Sequence, residues 1–291
     1  MKITITGSLG NIGKPLAQEL VAAGHEVTVI SSKEANRKAI EEMGAKAAIG
    51  AVQDIDFLTR SFTGADTIFT MVPPDFSVPS FRKYIAGIGE NYATAIQASG
   101  VKNIVNLSSI GAHLPAGTGP IAGLYDVEQI FNKLQGITIT HLRPAFFYVN
   151  FYANADMIRH ANILGANYGP EPHLVMVHPA DIAHVAAKYL QNPPARNSIE
   201  YIVSDERSGQ EIASVIGAAV GKPELPWVDF TDEQSYEGMV GAGLPPEIAR
   251  NYTEMGVAVR TGILWEDYVK HTVTHQPTKL EDFAKEFAVA M

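Results

Sequence analysis

The residues best suited to chemistry stand near the start of the chain, in Thr6-Gly7-Ser8-Leu9-Gly10-Asn11-Ile12-Gly13. Three glycines spaced G-x-x-G-x-x-G between an apolar strand pattern and an amphipathic helix pattern suit the pyrophosphate of a dinucleotide. One glycine allows the tight turn, the second lets backbone amides approach the pyrophosphate, and the third lets the helix sit close to the strand. The helix N-terminus adds free N–H groups and the positive end of its dipole. Gly7, Ser8, Gly10, Asn11, Ile12 and Gly13 are therefore the candidate phosphate-side residues. The alternative is an ordinary Gly-rich turn; the strand–helix alternation that follows weighs against it. A nucleotide P-loop is excluded, because Pro15 follows Lys14 where that loop needs Ser or Thr.

The end of the second strand chooses between NAD and NADP. A carboxylate there accepts from the ribose 2′-hydroxyl and repels a 2′-phosphate. This chain has Ser31-Ser32-Lys33, with Arg37 one turn on, and no acid at the strand end. Hydroxyls and cations favour the phosphate, so NADP is the expected cofactor. The competing reading makes Lys33 and Arg37 the solvated face of a helix.

These residues need a scaffold. Strand patterns at Lys2–Thr6, Glu26–Ile30, Ala45–Ile49, Thr67–Met71, Lys102–Leu107 and Ile137–Leu142 alternate with helix patterns at Ile12–Ala23, Lys33–Met43, Pro79–Ser99 and Leu124–Leu134. That alternation predicts an α/β Rossmann fold, a doubly wound parallel sheet with helices on both faces. The second half predicts helices at Phe151–Leu164 and Asp181–Leu190, a strand at Glu200–Val203, and capping boxes at Ser208/Glu211, Thr231/Gln234 and Thr278/Glu281. The expected division is an NADP-binding domain over 1–149 that returns at about 175–205. A smaller, mostly helical substrate-side lobe takes 150–174 and 206–291, so that the two interleave.

Bulk properties narrow the classes. The chain has 291 residues, 46 % apolar and 18 % charged, enough for a sizeable core. Its 22 basic and 31 acidic residues give a net charge of −9, unsuited to direct nucleic-acid binding. It has no cysteine, which rules out a disulfide scaffold, a thiolate nucleophile and a Cys-based zinc site. Lys2 leads straight into a strand pattern and no apolar run reaches membrane-span length, so a soluble cytoplasmic protein is expected.

The glycine loop resembles that of the atypical short-chain dehydrogenase/reductases. Over nearly its full length the chain is similar to their NmrA-like group, which holds NADPH-dependent quinone oxidoreductases, phenylcoumaran-type reductases and redox-sensing regulators. The resemblance rests on Val72-Pro73-Pro74, Leu107-Ser108-Ser109, Leu142-Arg143-Pro144-Ala145-Phe146-Phe147, Asp181-Ile182-Ala183, the helix after Ser208 and Gly241–Pro245. It implies that Val72, Pro73 and Pro74 border the nicotinamide-side ribose and that Ser108 and Ser109 lie near the nicotinamide. Without a ligand role, Pro73-Pro74 is a rigid loop and the serines cap a turn. It also implies a substrate pocket lined by Phe146, Phe147, Tyr148 and Asn150, together with Tyr152 and Met157, suited to a flat acceptor. A stripe of Phe and Tyr equally fits a core, and Asn150 equally fits a helix cap.

The usual dehydrogenase of this superfamily uses Ser, Tyr and Lys, with Tyr-x-x-x-Lys on the helix after the fifth strand. Here Tyr125 is present, but Gln129 stands at the lysine position and Ile110 near the serine position. Lys133, two turns on, is no substitute. A phenol with no cation beside it is a weak acid at neutral pH. Tyr125 is thus a catalytic candidate without its usual activator.

Two functions remain. One is an NADPH-dependent oxidoreductase passing hydride to a quinone-like or other activated acceptor. The other is a non-catalytic NADP(H)-binding redox sensor that works through a regulatory protein partner. A homodimer fits either. No metal is expected: in His271-Thr272-Val273-Thr274-His275, Thr272 stands where a metalloprotease motif needs Glu. Asp181 is read as a helix N-cap.

Overall fold

The computed structural model describes residues 1–169 and 171–291. Apolar residues alternate with short turns along the first half, and each run becomes a buried strand. These are β1 (Lys2–Ile5), β2 (Glu26–Ser31), β3 (Lys46–Ile49), β4 (Thr67–Thr70), β5 (Asn103–Leu107) and β6 (Thr138–Pro144). Between them lie α1 (Gly13–Ala22), α2 (Arg37–Glu42), α3 (Ile55–Phe62), α4 (Phe81–Ser99) and α5 (Ala122–Phe131). The second half holds β7 (Phe146–Phe147), β8 (Leu164–Ala166), β9 (His173–Val177), α6 (Pro179–Gln191), β10 (Ser198–Ile202), β11 (Asp205–Ser208), α7 (Gly209–Ala219), β12 (Trp227–Asp229), α8 (Asp232–Gly241), α9 (Pro246–Arg260) and α10 (Leu280–Ala290).

Seven strands form one sheet in the order β10-β6-β5-β4-β1-β2-β3, and β1 to β6 pair in parallel. Such a sheet is covered on both faces, so its strands are mostly apolar. Ile3, Ile5, Val27, Val29, Ile68, Phe69, Ile104, Val105, Ile139 and Leu142 are all buried. The order reverses between β1 and β4, the position at which open α/β sheets bind ligands at their C-terminal edge. On the far side, Ile139 N–H donates to Asn197 Oδ1 (3.0 Å) and the hydroxyls of Thr140 and Ser198 meet at 3.1 Å. This is the Rossmann-type architecture expected from the sequence.

The chain gathers into two compact units. One takes 1–109, 123–143 and 182–200; the other takes 110–122, 144–181 and 201–291. The second unit is helical in its last third but is more than a helical lobe. It carries a three-stranded sheet, β11-β9-β7, and a parallel pair, β12-β8. Its expected helix over 151–164 is replaced by a 3-10 segment at Tyr148–Asn154, a π-helical turn at Met157–Ala161 and β8. The expected stretch 150–174 includes Pro170, which lies outside the described residues. Capping boxes form at Ser208/Glu211 and Thr231/Gln234. At the last helix the box uses Lys279 and Asp282, because the Thr278 hydroxyl donates instead to Asp181 Oδ1 (2.9 Å). Among the described residues no helix is long and apolar enough to cross a membrane.

Candidate functional site

The glycine loop leaves the C-terminal end of β1 at the switch point. Thr6 anchors it: its Oγ1 accepts from the Met71 N–H at 2.8 Å, tying the ends of β1 and β4 together. Gly7 takes φ +94° and Ser8 φ +54°. At Gly7 a Cβ would also press on the Met71 side chain, 2.9 Å from its Cγ. At Gly13 a Cβ would overlap the Ser8 carbonyl oxygen, so the third glycine lets α1 lie against the loop itself. Gly10 is different. It is exposed, and a Cβ there would meet only the Gly7 carbonyl oxygen at 3.2 Å. The space in front of Gly10 is open to a ligand rather than filled by protein. The α1 ladder runs from Lys14 N–H to Gly10 O and Leu16 N–H to Ile12 O. Amides of the first helical turn have no partner within the helix and suit phosphate oxygens.

At the end of β2 the structure brings Ser8 and Ser31 together. Ser8 Oγ donates to Ser31 Oγ at 2.8 Å, and Asn36 Nδ2 donates to both hydroxyl oxygens at 2.9 and 3.0 Å. The Lys33 N–H reaches Ser31 Oγ as well, at 3.2 Å. Ser31 is buried and Asn36 half-buried, while Ser32 and Lys33 are exposed. Arg37 is engaged elsewhere. Its Nε and Nη2 lie 2.5 and 3.1 Å from the two Glu34 carboxylate oxygens, and Glu41 is 3.8 Å away. The hydrogen bond from Arg37 holds the Glu34 carboxyl below its ordinary range. Asn36 is not among the residues expected from sequence. Its partner Ser8 is 28 positions away, and only the parallel pairing of β1 and β2 makes them neighbours.

Val72, Pro73 and Pro74 begin the loop after β4. Two phenols of α4 hold its backbone: Tyr92 donates to the Met71 carbonyl at 2.8 Å and Tyr84 to the Pro73 carbonyl at 3.1 Å. Burial pushes both phenols above their ordinary pKa, so they stay protonated and keep these donated bonds.

The end of β5 is dry and charged. Ser108 is buried, and its hydroxyl donates to Glu128 Oε1 at 2.5 Å. Arg143 grips the same carboxylate with Nε on Oε1 (3.0 Å) and Nη2 on Oε2 (2.7 Å). The two side chains are 2 and 5 % exposed, so the pair is sealed from water. Ser109, next to it, is half-buried. Alongside runs a polar row across β4, β5 and β6. Thr70 Oγ1 donates to Asn106 Oδ1, Asn106 Nδ2 reaches His141 Nδ1, and His141 Nε2 reaches Asn132 Oδ1. Burial lowers the His141 pKa. The ring is neutral with its proton on Nε2, since its Nδ1 must accept from an amide.

Tyr125 stands half-buried on α5, just before two anchors of that helix. Arg82 holds Asp126 through two bonds of 2.7 and 2.8 Å, and Glu128 belongs to the sealed pair. Gln129 is exposed. Ile110 is buried.

The aromatic segment after β6 belongs to the second unit. Tyr148 is fully buried, stacks on Phe283 at 5.4 Å and donates to the Thr278 carbonyl. It is a core residue of that unit. Phe146 packs on Phe151 at 5.3 Å, and Tyr152 on Phe287 at 5.3 Å. Phe147 is half-buried, and Asn150 is exposed within the 3-10 segment rather than at a helix cap. Asp181 is not an N-cap. Its carboxylate accepts from Ser204 Oγ (2.6 Å) and Thr278 Oγ1, while His178 Nδ1 accepts from the Ala180 N–H at the start of α6. His271 and His275 do not share a helix. One faces Asp267 and the other Glu206, and among the described residues no three acidic or imidazole groups converge to hold a metal.

The fold has close likenesses among solved structures. An NADPH-dependent quinone oxidoreductase of Escherichia coli, crystallised with NADPH, matches with a TM-score of 0.83 at 20 % identity, covering 98 % of this chain and 99 % of that one. A Citrobacter triphenylmethane reductase, crystallised with NADP(H), matches with a TM-score of 0.79 at 19 % identity, covering 98 and 99 %. At those identities the likeness speaks for the fold alone. By sequence, a (4-alkanoyl-5-oxo-2,5-dihydrofuran-3-yl)methyl phosphate reductase of Streptomyces griseus is 26 % identical over 262 residues, 89 % of this chain and 88 % of that one. The profile of the NmrA-like family matches residues 1–283, and the chain belongs to that family.

Proposed function

We propose that this chain is an NADPH-dependent reductase that passes hydride to a quinone-like or otherwise activated small-molecule acceptor. The observation that carries the reading is the loop Gly7–Gly13 at the switch point, where Gly10 has open space before it and Gly13 has none. Relatives of the chain are named reductases, and the two solved likenesses hold NADPH or NADP(H). In this reading Gly7, Ser8, Gly10, Asn11, Ile12 and Gly13 face the pyrophosphate. Ser31, Ser32 and Lys33 face the adenosine ribose, and Val72, Pro73 and Pro74 border the other ribose.

Bound NADPH supplies the hydride. The chain's residues supply position more than acid. The Ser108 hydroxyl is already donated to Glu128, and Tyr125 has Gln129 where an activating lysine would stand. A quinone accepts hydride readily and takes its proton from water, giving hydroquinone and NADP. Such a reaction needs orientation more than a strong general acid.

The test is NADPH oxidation with simple quinones, followed spectrophotometrically, for the parent and Tyr125→Phe. The expected loss in the variant is no more than about a hundredfold, the lower end for a removed acid/base group. Complete loss would make Tyr125 an essential acid. Tight NADPH binding with no turnover on any quinone would favour the sensor reading.

A further inference from the structure

We infer that Asn36 sets the cofactor preference, and that it makes the chain accept NADH as well as NADPH. This rests on the cofactor reading above. The polar groups at the ribose end satisfy one another before any ligand arrives. Ser8 gives its hydroxyl proton to Ser31, and Ser31 gives its own to the Lys33 carbonyl at 3.4 Å. Asn36 spends its amide nitrogen on both serine oxygens. What the Asn36 side chain still offers is its carbonyl oxygen, which only accepts.

An acceptor suits a 2′-hydroxyl, which donates, and gives nothing to a 2′-phosphate. Yet the amide is neutral and does not repel the phosphate as a carboxylate would. Arg37, the cation best suited to a phosphate, is held by both oxygens of Glu34. Recognition of a 2′-phosphate therefore falls to the exposed Ser32 and Lys33. A single exposed ammonium holds a phosphate as a point charge without the fixed fork of arginine. Asn36 is thus a permissive residue: it braces the loop against the end of β2 and leaves the charge decision open.

The experiment is calorimetric titration of the full chain with NADPH and with NADH, for the parent, Asn36→Asp and Lys33→Ala. The parent should bind both, with NADPH favoured by no more than about tenfold, the worth of one exposed charge contact. Asn36→Asp keeps the shape, and both serines can donate to its carboxylate. It should bind NADH within about threefold of the parent and lose NADPH by about tenfold or more, through the like charge. Lys33→Ala should weaken NADPH by about three- to tenfold and leave NADH unchanged, which serves even if the Asn36→Asp variant does not fold.

A parent preference beyond about a hundredfold, or equal losses for both cofactors in Asn36→Asp, overturns the inference. So does a Lys33→Ala protein with parental NADPH affinity. Binding of neither cofactor by the folded parent is a different result: it overturns the cofactor reading itself.

Discussion

The ends of β2 and β5 both place serines at the C-terminal edge of one sheet, and they treat them in opposite ways. At β2 the partners are neutral and mutually satisfied: Ser31, buried, with Ser8 and Asn36, both half-buried. At β5 the partner is a carboxylate, locked to a guanidinium and closed off from water. A neutral cluster can trade one hydrogen bond for another when a ligand enters, at little cost. A buried ion pair cannot, because either partner left alone keeps an unsolvated charge. The β5 end therefore holds α5 and its Tyr125 in place, and the β2 end is free to receive a ligand.

The sharpest way to break this contrast is Arg143→Met. Glu128 would be stranded, and urea unfolding should show a loss of about 3–5 kcal/mol. The double variant Glu128→Leu/Arg143→Met should recover much of it, since well-packed apolar pairs often replace a buried ion pair without penalty. A single-variant loss below about 1 kcal/mol, the range of an exposed pair, would mean that water reaches Glu128.

Gly10→Val probes the open side. The new Cβ would lie 3.2 Å from the Gly7 carbonyl oxygen, so the loop must shift by a few tenths of an ångström and the melting temperature should fall only slightly. NADPH affinity should fall by more than about tenfold as the branched side chain fills the pyrophosphate's approach. Undiminished binding would remove the loop from the site.

The closed side also has a pH signature. Burial depresses the His141 pKa, so the unfolded chain binds a proton there that the folded one refuses. Its contribution to stability is complete above the unfolded value of about 6.5 and drains as pH falls through it toward the folded one. Urea midpoints between pH 7.5 and 5.5, about one unit either side, should decline less in His141→Gln than in the parent. Equal declines would show that the imidazole already titrates in the folded state.

The smallest effect is expected from Arg37→Ala. With its guanidinium already held by Glu34, its removal should change NADPH affinity by less than about threefold, read by calorimetry. A larger loss would show that the ligand draws Arg37 away from Glu34.

Much of this was legible in sequence because it is local. The glycine loop, the strand–helix alternation and the boxes at Ser208/Glu211 and Thr231/Gln234 each depend on residues a few positions apart. Helix α3 carries its own local signal, Asp54 before Ile55, Leu58 and Phe62, with Asp54 capping the Phe57 N–H, but at eight residues it is too short to stand out by periodicity. Pairings across strands left no such mark. Asn36 with Ser8, and Glu128 with Ser108 and Arg143, follow from the order of strands rather than from spacing. Neither could Thr278 be told from a cap while its true partner, Asp181, lay 97 residues earlier. The short strands β8, β9, β11 and β12 are no more than five residues each, too brief for a periodic pattern to declare itself.

The seventh strand has a consequence for how the chain is made. Strand β10 closes the sheet beside β6, yet it leaves the ribosome more than fifty residues after it, as the 58-residue separation of Ile139 from Asn197 shows. Until then the nascent sheet presents β6 as a raw edge, with amides and carbonyls ready to pair with another chain. A fragment ending at Arg143 would keep that edge for good. The break after the sixth strand is thus a poor place to divide the gene, and a helper that shields unpaired edges during synthesis would act on this stretch first.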